Sequence, residues 1–388
     1  MRHPGFAALI LPPAPPGSLG DEAMLLATLH MLKQHGVHKI GILTYNISDK
    51  YTLDPNITHY QMRDFFRFKS EEGLLRFVAH AQKHTHFYLI GADVMDGYYS
   101  RAETIAKIEL ARVAALCGLK TTLLGFSFNA NPDEACVNAL KTFPDHVNVN
   151  ARDPVSHRRL SKHLGRNILF SADLAFLLPP DTSRSAVRNL VDQLLSLKRE
   201  GRILVGINVS YLILGKAPTL ANIDSLLAQV RSTLLEIATL KQNISFVLIP
   251  HDLRGPMNDR VLSERLAAGL EGQLGKNQIV HLAEPLNSAE TKAVCAQLDA
   301  AFTCRMHFGI ACLSQGVPIA AIGYQGKFEG LMELFGLEGL LLPDAIRLDL
   351  DAFSTVLRRL IENRLELQTI VRSKLDAVYR LAANNFSS

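Results

Sequence analysis

Cysteine is scarce in this sequence, and the five that it contains form no CxxC pair. They lie in or beside apolar segments, where a cysteine usually behaves as a small hydrophobic side chain. The positions are Cys117, Cys136, Cys295, Cys304 and Cys312. This placement argues against a disulfide framework and against a zinc site.

Long hydrophobic runs are also lacking. No stretch approaches the roughly 18 to 20 consecutive apolar residues of a membrane span. The apolar run near the start, FAALIL, is too short for a signal-peptide core and is ended at once by prolines. We therefore expect a cytoplasmic protein and leave association with the inner face of the membrane open.

A strong charge of one sign is the third absence. The chain has 41 basic and 37 acidic residues, a formal net charge of +4 and a pI near 8.7. The small excess is scattered, whereas a nucleic-acid protein would carry a clustered basic face. The composition excludes a dedicated nucleic-acid function and is compatible with a small anionic substrate, which needs only a few well-aimed cations.

The length of 388 residues and the 48% hydrophobic content predict two domains, each with its own core. Short apolar runs alternate with longer amphipathic stretches, which is the pattern of a doubly wound α/β fold with a parallel sheet. In the first half the predicted strands are 6–11, 39–43, 86–90, 121–125 and 168–171. In the second half they begin in the runs at 203–210, 244–252, 279–282, 300–304 and 318–324.

The predicted domains are residues 1–180, 181–350 and a helical tail at 351–388, because two prolines and a polar stretch follow the last strand of the first series. We expect two Rossmann-like domains that face each other across a cleft. Open α/β sheets bind ligands at the carboxyl ends of their strands. Functional residues should therefore come directly after strands.

The first such segment is GSLGDE at residues 17–22, which follows a strand and opens a helix. Its glycines, Gly20 among them, allow a tight turn, and the helix start attracts an anion or a hydroxyl. The alternative is that Asp21 only caps the helix. The segment lacks the pattern of a nucleotide-binding loop.

The second segment, GADVMDG, follows the strand FYLI and carries Asp93 and Asp96 behind Gly91. Two carboxylates in a glycine-bounded loop can bind sugar hydroxyls, act as a general base or hold a cation. A metal site would need more oxygen ligands than the segment offers. In the remaining interpretation the carboxylates only stabilise the turn of the loop.

Two further strand ends carry charged residues. Arg152 and Asp153 stand at the entrance to a helix, as a site for a ligand or as a salt-bridged cap without one. Asp173 is a weaker candidate of the same kind. His251 and Asp252 form a pair suited to proton transfer near neutral pH, unless His251 is simply hydrogen-bonded to the backbone.

The strongest segment is CRMHFGI, in which Arg305 and His307 follow an apolar strand where the next helix begins. Guanidinium, imidazole and helix N-terminus would all direct positive potential to one place. Lys327 follows the next strand and would add a third cation beside Tyr324. This site is suited to a small, dense anion, and we expect Arg305 and His307 to project from it rather than to be core.

These segments resemble, in order and spacing, the polysaccharide pyruvyl transferase family, over residues 17–339. The matching blocks are GSLGDEAM, LIGADVMDG, ARDPVSHRRL, SADLAFLL, VGINVS, LIPHD and RMHFGIACLSQGVPIAAIGYQGKFEGLMELFGL. Where many relatives have a glycine triplet, this chain has Gly91-Ala92-Asp93. The resemblance implies a fold like that of GT-B glycosyltransferases, phosphoenolpyruvate as donor, and a ketal-linked pyruvate on a cell-envelope or exopolysaccharide sugar. We expect the domain at 1–180 to bind the acceptor and the domain at 181–350 to bind phosphoenolpyruvate.

The resemblance makes Arg305 and His307 the donor-binding pair, with Arg152 as a third contact. Asp21, Asp93 and His251 are the candidates for activating an acceptor that is a sugar or a lipid-linked oligosaccharide. No metal or cofactor is expected, and the oligomeric state stays open. The main alternative is a glycosyltransferase that uses a nucleotide sugar, with Lys327 on the diphosphate and Glu329 on the ribose. A non-catalytic sugar-binding relative is the third hypothesis.

Overall fold

The structure, a computed structural model, describes residues 5–46, 48–49, 51, 54–215, 218–275, 277–282, 284–323, 326–342 and 350–387. The chain divides into two compact units. Unit 1 consists of Met1–Pro16, Asp21–Leu178 and Val378–Ser388, and unit 2 consists of Gly17–Gly20 and Pro179–Ala377.

This division differs from the predicted domains in two places. The short segment Gly17–Gly20 belongs to unit 2, although it follows the first strand of unit 1. The expected tail does not stand apart, because residues up to Ala377 belong to unit 2 and Val378–Ser388 belong to unit 1. The main boundary, between Leu178 and Pro179, lies at the prolines that the sequence pointed to.

Unit 1 is built on a seven-stranded sheet in the order β3-β2-β1-β4-β5-β6-β7, and its paired strands are parallel. Its strands are β1 (Ala7–Leu11), β2 (Lys39–Thr44), β3 (Ile57–Gln61), β4 (His86–Ile90), β5 (Lys120–Phe126), β6 (Asn148–Ala151) and β7 (Leu169–Phe170). Its helices are α1 (Leu19–Gln34), α2 (Arg63–Phe68), α3 (Glu71–Ala81), α4 (Arg101–Leu116), α5 (Glu134–Lys141) and α6 (Pro154–Leu164).

Unit 2 is built on a six-stranded parallel sheet in the order β10-β9-β8-β11-β12-β13. Its strands are β8 (Ile203–Asn208), β9 (Ile244–Leu248), β10 (Ile279–His281), β11 (Ala300–Thr303), β12 (Ile319–Ile322) and β13 (Leu341–Leu342). Its helices are α7 (Ser185–Arg199), α8 (Leu220–Leu240), α9 (Asp259–Leu270), α10 (Ser288–Cys295), α11 (Met306–Leu313), α12 (Phe328–Phe335), α13 (Leu350–Glu362) and α14 (Arg364–Ala383).

The central strands are largely apolar, although β9 contains Ser245 and β8 ends in Asn208. All five residues of β1 and all five of β9 are buried, as expected for parallel sheets. The ten predicted strands are confirmed, with ends that shift by a few residues. The pattern did not predict β3, β6 and β13. Strand β3 has mostly partly exposed residues, β6 alternates asparagine with apolar residues, and β13 has only two residues.

Strand order reverses at one place in each sheet. In unit 1 the chain builds outward from β1 on one side and continues from β4 on the other. In unit 2 the corresponding neighbours are β8 and β11. Such a reversal leaves a crevice at the carboxyl ends of the two central strands, and open α/β sheets bind ligands there. We call these two places the unit 1 and unit 2 switch points.

Among the described residues, none of the helices combines the length and the apolar character that a membrane span requires.

Candidate functional site

The unit 2 switch point is organised around Arg305. Strand β11 ends at Thr303, whose side-chain oxygen accepts a hydrogen bond from the Arg305 N–H at 2.9 Å and donates to the Arg305 carbonyl at 2.8 Å. This turn places the guanidinium at the start of α11. There, Nη2 donates to Oδ1 of Asp259 at 2.8 Å, and Nη1 lies 3.1 Å from Oδ2 of Asp252.

Asp259 was missed by the sequence analysis. It is the first residue of α9, is 0% exposed and also accepts hydrogen bonds from the Asn208 side chain and the His251 N–H, each at 3.2 Å. A carboxylate so deeply buried requires charged and polar partners. A signal was present, because an acidic residue in the first turn of the helix after β9 could have been found by the same strand-end criterion.

Arg305 is not a core residue, as expected, but it is partly buried. Its side chain is 12% exposed, and its guanidinium forms ion pairs with two carboxylates that are themselves buried. Removing the guanidinium would leave Asp259 as a buried charge without its main partner. Arg305 therefore contributes to the fold as well as to the positive potential of the site.

Gly20 and His307 are in direct contact within unit 2. A Cβ atom built on Gly20 would lie 2.4 Å from Nδ1 of His307, so only glycine fits beside this ring. The backbone near Gly20 is fixed, since Leu19 N–H donates to the His251 carbonyl at 3.3 Å and Ser18 forms an antiparallel bridge with Asp252. Gly17–Gly20, the part of GSLGDE that belongs to unit 2, thus lie at the same site as the strand-end histidines, which their sequence position did not reveal.

His251 is a buried imidazole at the centre of this site. It is 3% exposed, and its ring packs against Phe308 with centroids 5.8 Å apart. Within the part of the chain that the structure describes, neither ring nitrogen has a hydrogen-bond partner. Burial, together with the positive charges of His307 and Arg305, lowers the pKa of His251 to about 3. The ring is therefore neutral near pH 7.

Asp252 completes the charge arrangement. Burial alone would raise the pKa of its carboxyl, but the hydrogen bond from Arg254 and the charges of Arg305 and Arg254 outweigh burial and lower that pKa. Arg254 Nη2 donates to Oδ2 of Asp252 at 2.7 Å. Asp252 therefore stays ionised near pH 7 and acts as an anchor for the two arginines.

Lys327 is buried, at 5% exposed, and directly precedes α12, the helix that follows β12. Because β12 is the neighbour of β11, Lys327 and Arg305 follow adjacent strand ends. That the Lys327 ammonium reaches the same ligand as Arg305 and His307 stays a prediction. Tyr324 lies outside the described residues.

Arg152 lies in unit 1, at the end of β6. It is 3% exposed; its Nη1 donates to Asp173 at 2.8 Å, and its Nε donates to the Ser127 hydroxyl at 2.7 Å. The neighbouring Asp153 caps α6 by accepting from the Ser156 N–H at 2.7 Å. A buried ion pair and a helix cap are therefore present here, and the role of Arg152 in donor binding stays a prediction.

The loop after β4 separates its two carboxylates. Asp96 is 3% exposed and accepts hydrogen bonds from the backbone N–H of Tyr98 at 3.0 Å and of Asn129 at 3.2 Å, so it braces the loop. Asp93 is half-buried and accepts from the Tyr99 hydroxyl at 3.2 Å. Of the two, Asp93 is the better placed to meet a ligand.

Gly91 and Asp21 lie at the two central strand ends of unit 1. A Cβ on Gly91 would come within 2.7 Å of Phe126, so the residue is a glycine for packing. Asp21 lies in the first turn of α1, the helix that follows β1, and is half-buried. Asp21 and Asp93 therefore follow the two strands that flank the unit 1 switch point.

Among the described residues, no three His, Cys, Asp or Glu side chains are grouped so that they could hold a metal ion.

The sequence matches the model of the polysaccharide pyruvyl transferase family over residues 19–326. This span covers most of the chain and contains every candidate residue named above except Lys327 and Glu329. No curated protein sequence matches the chain.

Solved structures share the fold at low identity. UDP-GlcNAc 2-epimerase from Methanocaldococcus jannaschii matches with a TM-score of 0.57 and 11% identity over 91% of each chain. A UDP-forming α,α-trehalose-phosphate synthase from Burkholderia vietnamiensis has a TM-score of 0.54 and 12% identity over 100% of each chain. MnaA from S. aureus with UDP has a TM-score of 0.57 and 10% identity, covering 95% of this chain and 92% of that one. These similarities confirm the predicted likeness to the GT-B fold and show the fold alone.

Proposed function

Since this chain belongs to the polysaccharide pyruvyl transferase family, we propose that it transfers a pyruvyl group from phosphoenolpyruvate to hydroxyls of a cell-envelope or exopolysaccharide sugar. The product is a ketal. The observation that carries this proposal is the combination, at the unit 2 switch point, of Arg305, His307 and the buried neutral His251 around the backbone of Gly20.

Phosphoenolpyruvate suits this place because it is small and densely charged. It carries a phosphate and a carboxylate on three carbons, and the helix N-terminus of α11 together with Arg305 supplies the positive potential that such a ligand needs. The two buried carboxylates that bind Arg305 hold its guanidinium in place before the ligand arrives. Preorganised charge of this kind stabilises a transition state without rearrangement.

The chemistry is an addition followed by an elimination. A proton adds to the methylene carbon of phosphoenolpyruvate, and the central carbon becomes oxocarbenium-like. A sugar hydroxyl oxygen bonds to that carbon, the bond from the carbon to the phosphate oxygen breaks, and a second hydroxyl closes the ketal. The two hydroxyl protons balance the proton gained by the methyl group and the proton carried away by phosphate.

His307 is assigned to phosphate contact and proton donation, and Arg305 to charge stabilisation. His251 is a poor base in the ligand-free protein, because its pKa is lowered to about 3. A bound phosphate dianion would raise that pKa, since an opposite charge favours the imidazolium form. Asp21 and Asp93, in unit 1, are the alternative groups for activating the acceptor hydroxyl.

The experiment follows phosphate release by the full chain from phosphoenolpyruvate across a panel of cell-envelope sugars, with the ketal methyl group detected by proton NMR. A parallel arm supplies nucleotide sugars and measures nucleoside diphosphate. We expect acceptor-dependent phosphate and a new ketal methyl signal. Release of nucleoside diphosphate without phosphate release would instead support the glycosyltransferase alternative.

A matched pair of variants locates the site. His307→Gln should lower kcat/KM by about a hundredfold, the lower end of the range for losing a general acid. His281→Gln changes an exposed histidine on β10 of the same unit and should leave kcat/KM unchanged. Equal activity of both variants would contradict the assignment of His307.

A further inference from the structure

Lys107 is a buried lysine that no sequence motif singled out. It lies in the second turn of α4, its side chain is 2% exposed, and it is among the largest fully buried side chains of the described residues. Lysine is almost never fully buried unless it is paired. Its position therefore calls for an explanation.

Helix α4 directs this side chain toward the strand ends of unit 1. Side chains on a helix lean toward its N-terminus, and α4 begins at the loop that follows β4. The Thr104 hydroxyl donates to the Val94 carbonyl at 2.7 Å, which ties the helix to that loop. Lys107 Nζ lies 3.8 Å from Oε2 of Glu103, one turn nearer the helix start.

An aromatic ring from another strand end meets the same amine. Lys107 Nζ lies 5.6 Å from the ring centre of Tyr45, which directly follows β2. The Tyr45 hydroxyl donates to the Pro12 carbonyl at 2.7 Å, and Pro12 follows β1. The ends of β2, β1 and β4 therefore meet around Lys107, at the unit 1 switch point.

The charges of three carboxylates act on the amine. Burial lowers the pKa of Lys107, while the charges of Glu103, Asp21 and Asp93 act in the opposite direction. Asp21 comes from the start of α1, and Asp93 from the loop after β4. All three carboxylates are thus within electrostatic reach of Nζ.

The contacts of Lys107 within the protein do little to explain why a buried amine lies at this position. Taking an ammonium group out of water is costly. In return, Lys107 has a 3.8 Å approach to Glu103, whose side chain is 62% exposed and well solvated, and a cation–π contact with Tyr45. A methionine would fill the same space at lower cost. The amine is therefore more readily explained by a ligand.

We propose that Lys107, together with Asp21 and Asp93, binds hydroxyl groups of an uncharged sugar at the unit 1 switch point, and that this sugar is the acceptor. This inference rests on the function proposed above. Amine and carboxylate groups together both donate to and accept from neighbouring hydroxyls. Among the described residues whose charges act on Lys107, the carboxylates outnumber the amine, so a sugar that carries a carboxylate or phosphate of its own would be repelled.

The test is sugar binding without phosphoenolpyruvate, measured by saturation-transfer NMR titration of the full chain. The probes are the methyl glycosides of glucose, galactose and mannose, with the methyl glycoside of galacturonic acid as the charged counterpart of galactose. We expect at least one uncharged glycoside to bind and the uronate to bind more weakly. Because no donor is present, this result is independent of whether phosphoenolpyruvate is the co-substrate.

Lys107→Met separates binding from packing. We expect the Kd for the bound glycoside to rise by about tenfold, the loss of one hydrogen bond to a charged group, while the thermal midpoint stays equal or rises. Lys141→Met, an exposed lysine on α5 of the same unit, should change neither quantity. If Lys107→Met does not fold, Asp93→Asn provides the second variant, with the same expected loss of sugar binding.

Unchanged glycoside binding in Lys107→Met would assign the lysine to packing and overturn the proposal. So would binding of the uronate in preference to the uncharged sugars, or the absence of saturation transfer from every glycoside. Loss of phosphate release with sugar binding intact would instead contradict the proposed reaction. It would not contradict the proposed sugar site at Lys107.

Discussion

The two switch points of this chain share a strand order but differ in charge. At the unit 2 point, among the described residues, Arg254 and Arg305 are paired with Asp252 and Asp259, and the N-terminus of α11 adds positive potential. At the unit 1 point, within the same described part of the chain, one amine, that of Lys107, is under the charges of Asp21, Asp93 and Glu103. The same scaffold therefore presents one place that favours an anion and another that disfavours it, and the residues after the strands decide which.

Each switch point also contains a buried nitrogen base. Burial lowers the pKa of His251 and of Lys107, because it penalises the charged form of either group. The neighbours then act in opposite directions. Cations next to His251 lower its pKa further, whereas carboxylates around Lys107 raise its pKa. Neighbouring charge, rather than burial, distinguishes the two sites.

The largest expected effect tests the charge network of unit 2. Arg305→Ala should lower the free energy of unfolding by about 3 to 5 kcal/mol, because it leaves a buried carboxylate on Asp259 without its guanidinium. Urea denaturation of the purified variant measures this. Arg260→Ala, which removes an exposed pair with Glu264 on the same helix as Asp259, should cost only about 0.3 to 0.5 kcal/mol.

Similar stabilities for these two arginine variants would show that the Arg305 network is not a buried one. The contrast in charge between the two switch points would then no longer hold for unit 2.

The second prediction concerns acid. His251 has a folded pKa of about 3, and an unfolded histidine titrates near 6.5, so between these values the unfolded chain binds one proton more than the folded chain. Stability conferred by the neutral ring is complete above the unfolded pKa and is lost as the pH falls toward 3. His251→Phe should therefore reduce the pH slope of the unfolding free energy by about 1.4 kcal/mol per pH unit between these pKa values.

Denaturation at pH 4.5, 5.5 and 6.5 gives this slope for the wild type and the variant. The exposed His281 provides the control, since His281→Phe should leave the slope unchanged. Identical slopes for wild type and His251→Phe would mean that the His251 ring is not a buried neutral group.

The sequence predicted the fold well because buried parallel strands leave a plain apolar pattern. Both ends of strand β4 were predicted correctly. The likeness to GT-B enzymes followed from the resemblance of the sequence blocks to the polysaccharide pyruvyl transferase family. Strand β3 was not predicted because it is an edge strand with one buried residue. An edge strand needs hydrogen bonds on one side only, and its sequence carries little apolar signal.

The site was predicted in part. Arg305, His307 and His251 were selected because they follow strands, but their partners come from distant segments. Asp259 meets Arg305 across 46 residues of sequence, and Gly20 meets His307 only because Gly17–Gly20 belongs to unit 2. Spacing along the chain carries no record of such tertiary contacts, so an inventory of motifs could not find them.

The third prediction tests whether the GSLGDE segment positions the unit 2 histidine. Gly20→Ala places a methyl group where Nδ1 of His307 lies, 2.4 Å from the new Cβ. The ring must move, at a cost of about 1 to 3 kcal/mol in stability, and we expect kcat/KM for phosphoenolpyruvate to fall by about a hundredfold as the histidine is misplaced.

Kinetics and denaturation on Gly20→Ala are compared with Gly5→Ala, since a Cβ at Gly5 would meet nothing within 4 Å. Wild-type turnover in Gly20→Ala would show that the position of the His307 ring does not matter for the reaction. It would contradict the role assigned to His307 in the unit 2 site.

The smallest effect belongs to unit 1 and concerns the middle of Gly91-Ala92-Asp93, where many family members have glycine. Ala92 has a φ of +47°, in the left-handed region that side chains disfavour, and its carbonyl is held by the Ser127 N–H at 2.8 Å. Ala92→Gly should therefore raise the free energy of unfolding by about 0.5 to 1 kcal/mol, since relief of strain exceeds the entropy that glycine costs.

The control is an alanine with ordinary helical geometry in the same unit. Ala79→Gly, at an exposed position of α3, should lower the unfolding free energy by about 1 kcal/mol through helix propensity. Opposite signs for the two alanine-to-glycine changes would identify a strained turn directly before Asp93. If both changes destabilise the protein, backbone strain does not set the position of this loop, and Asp93 is held at the unit 1 switch point by its side-chain contacts instead.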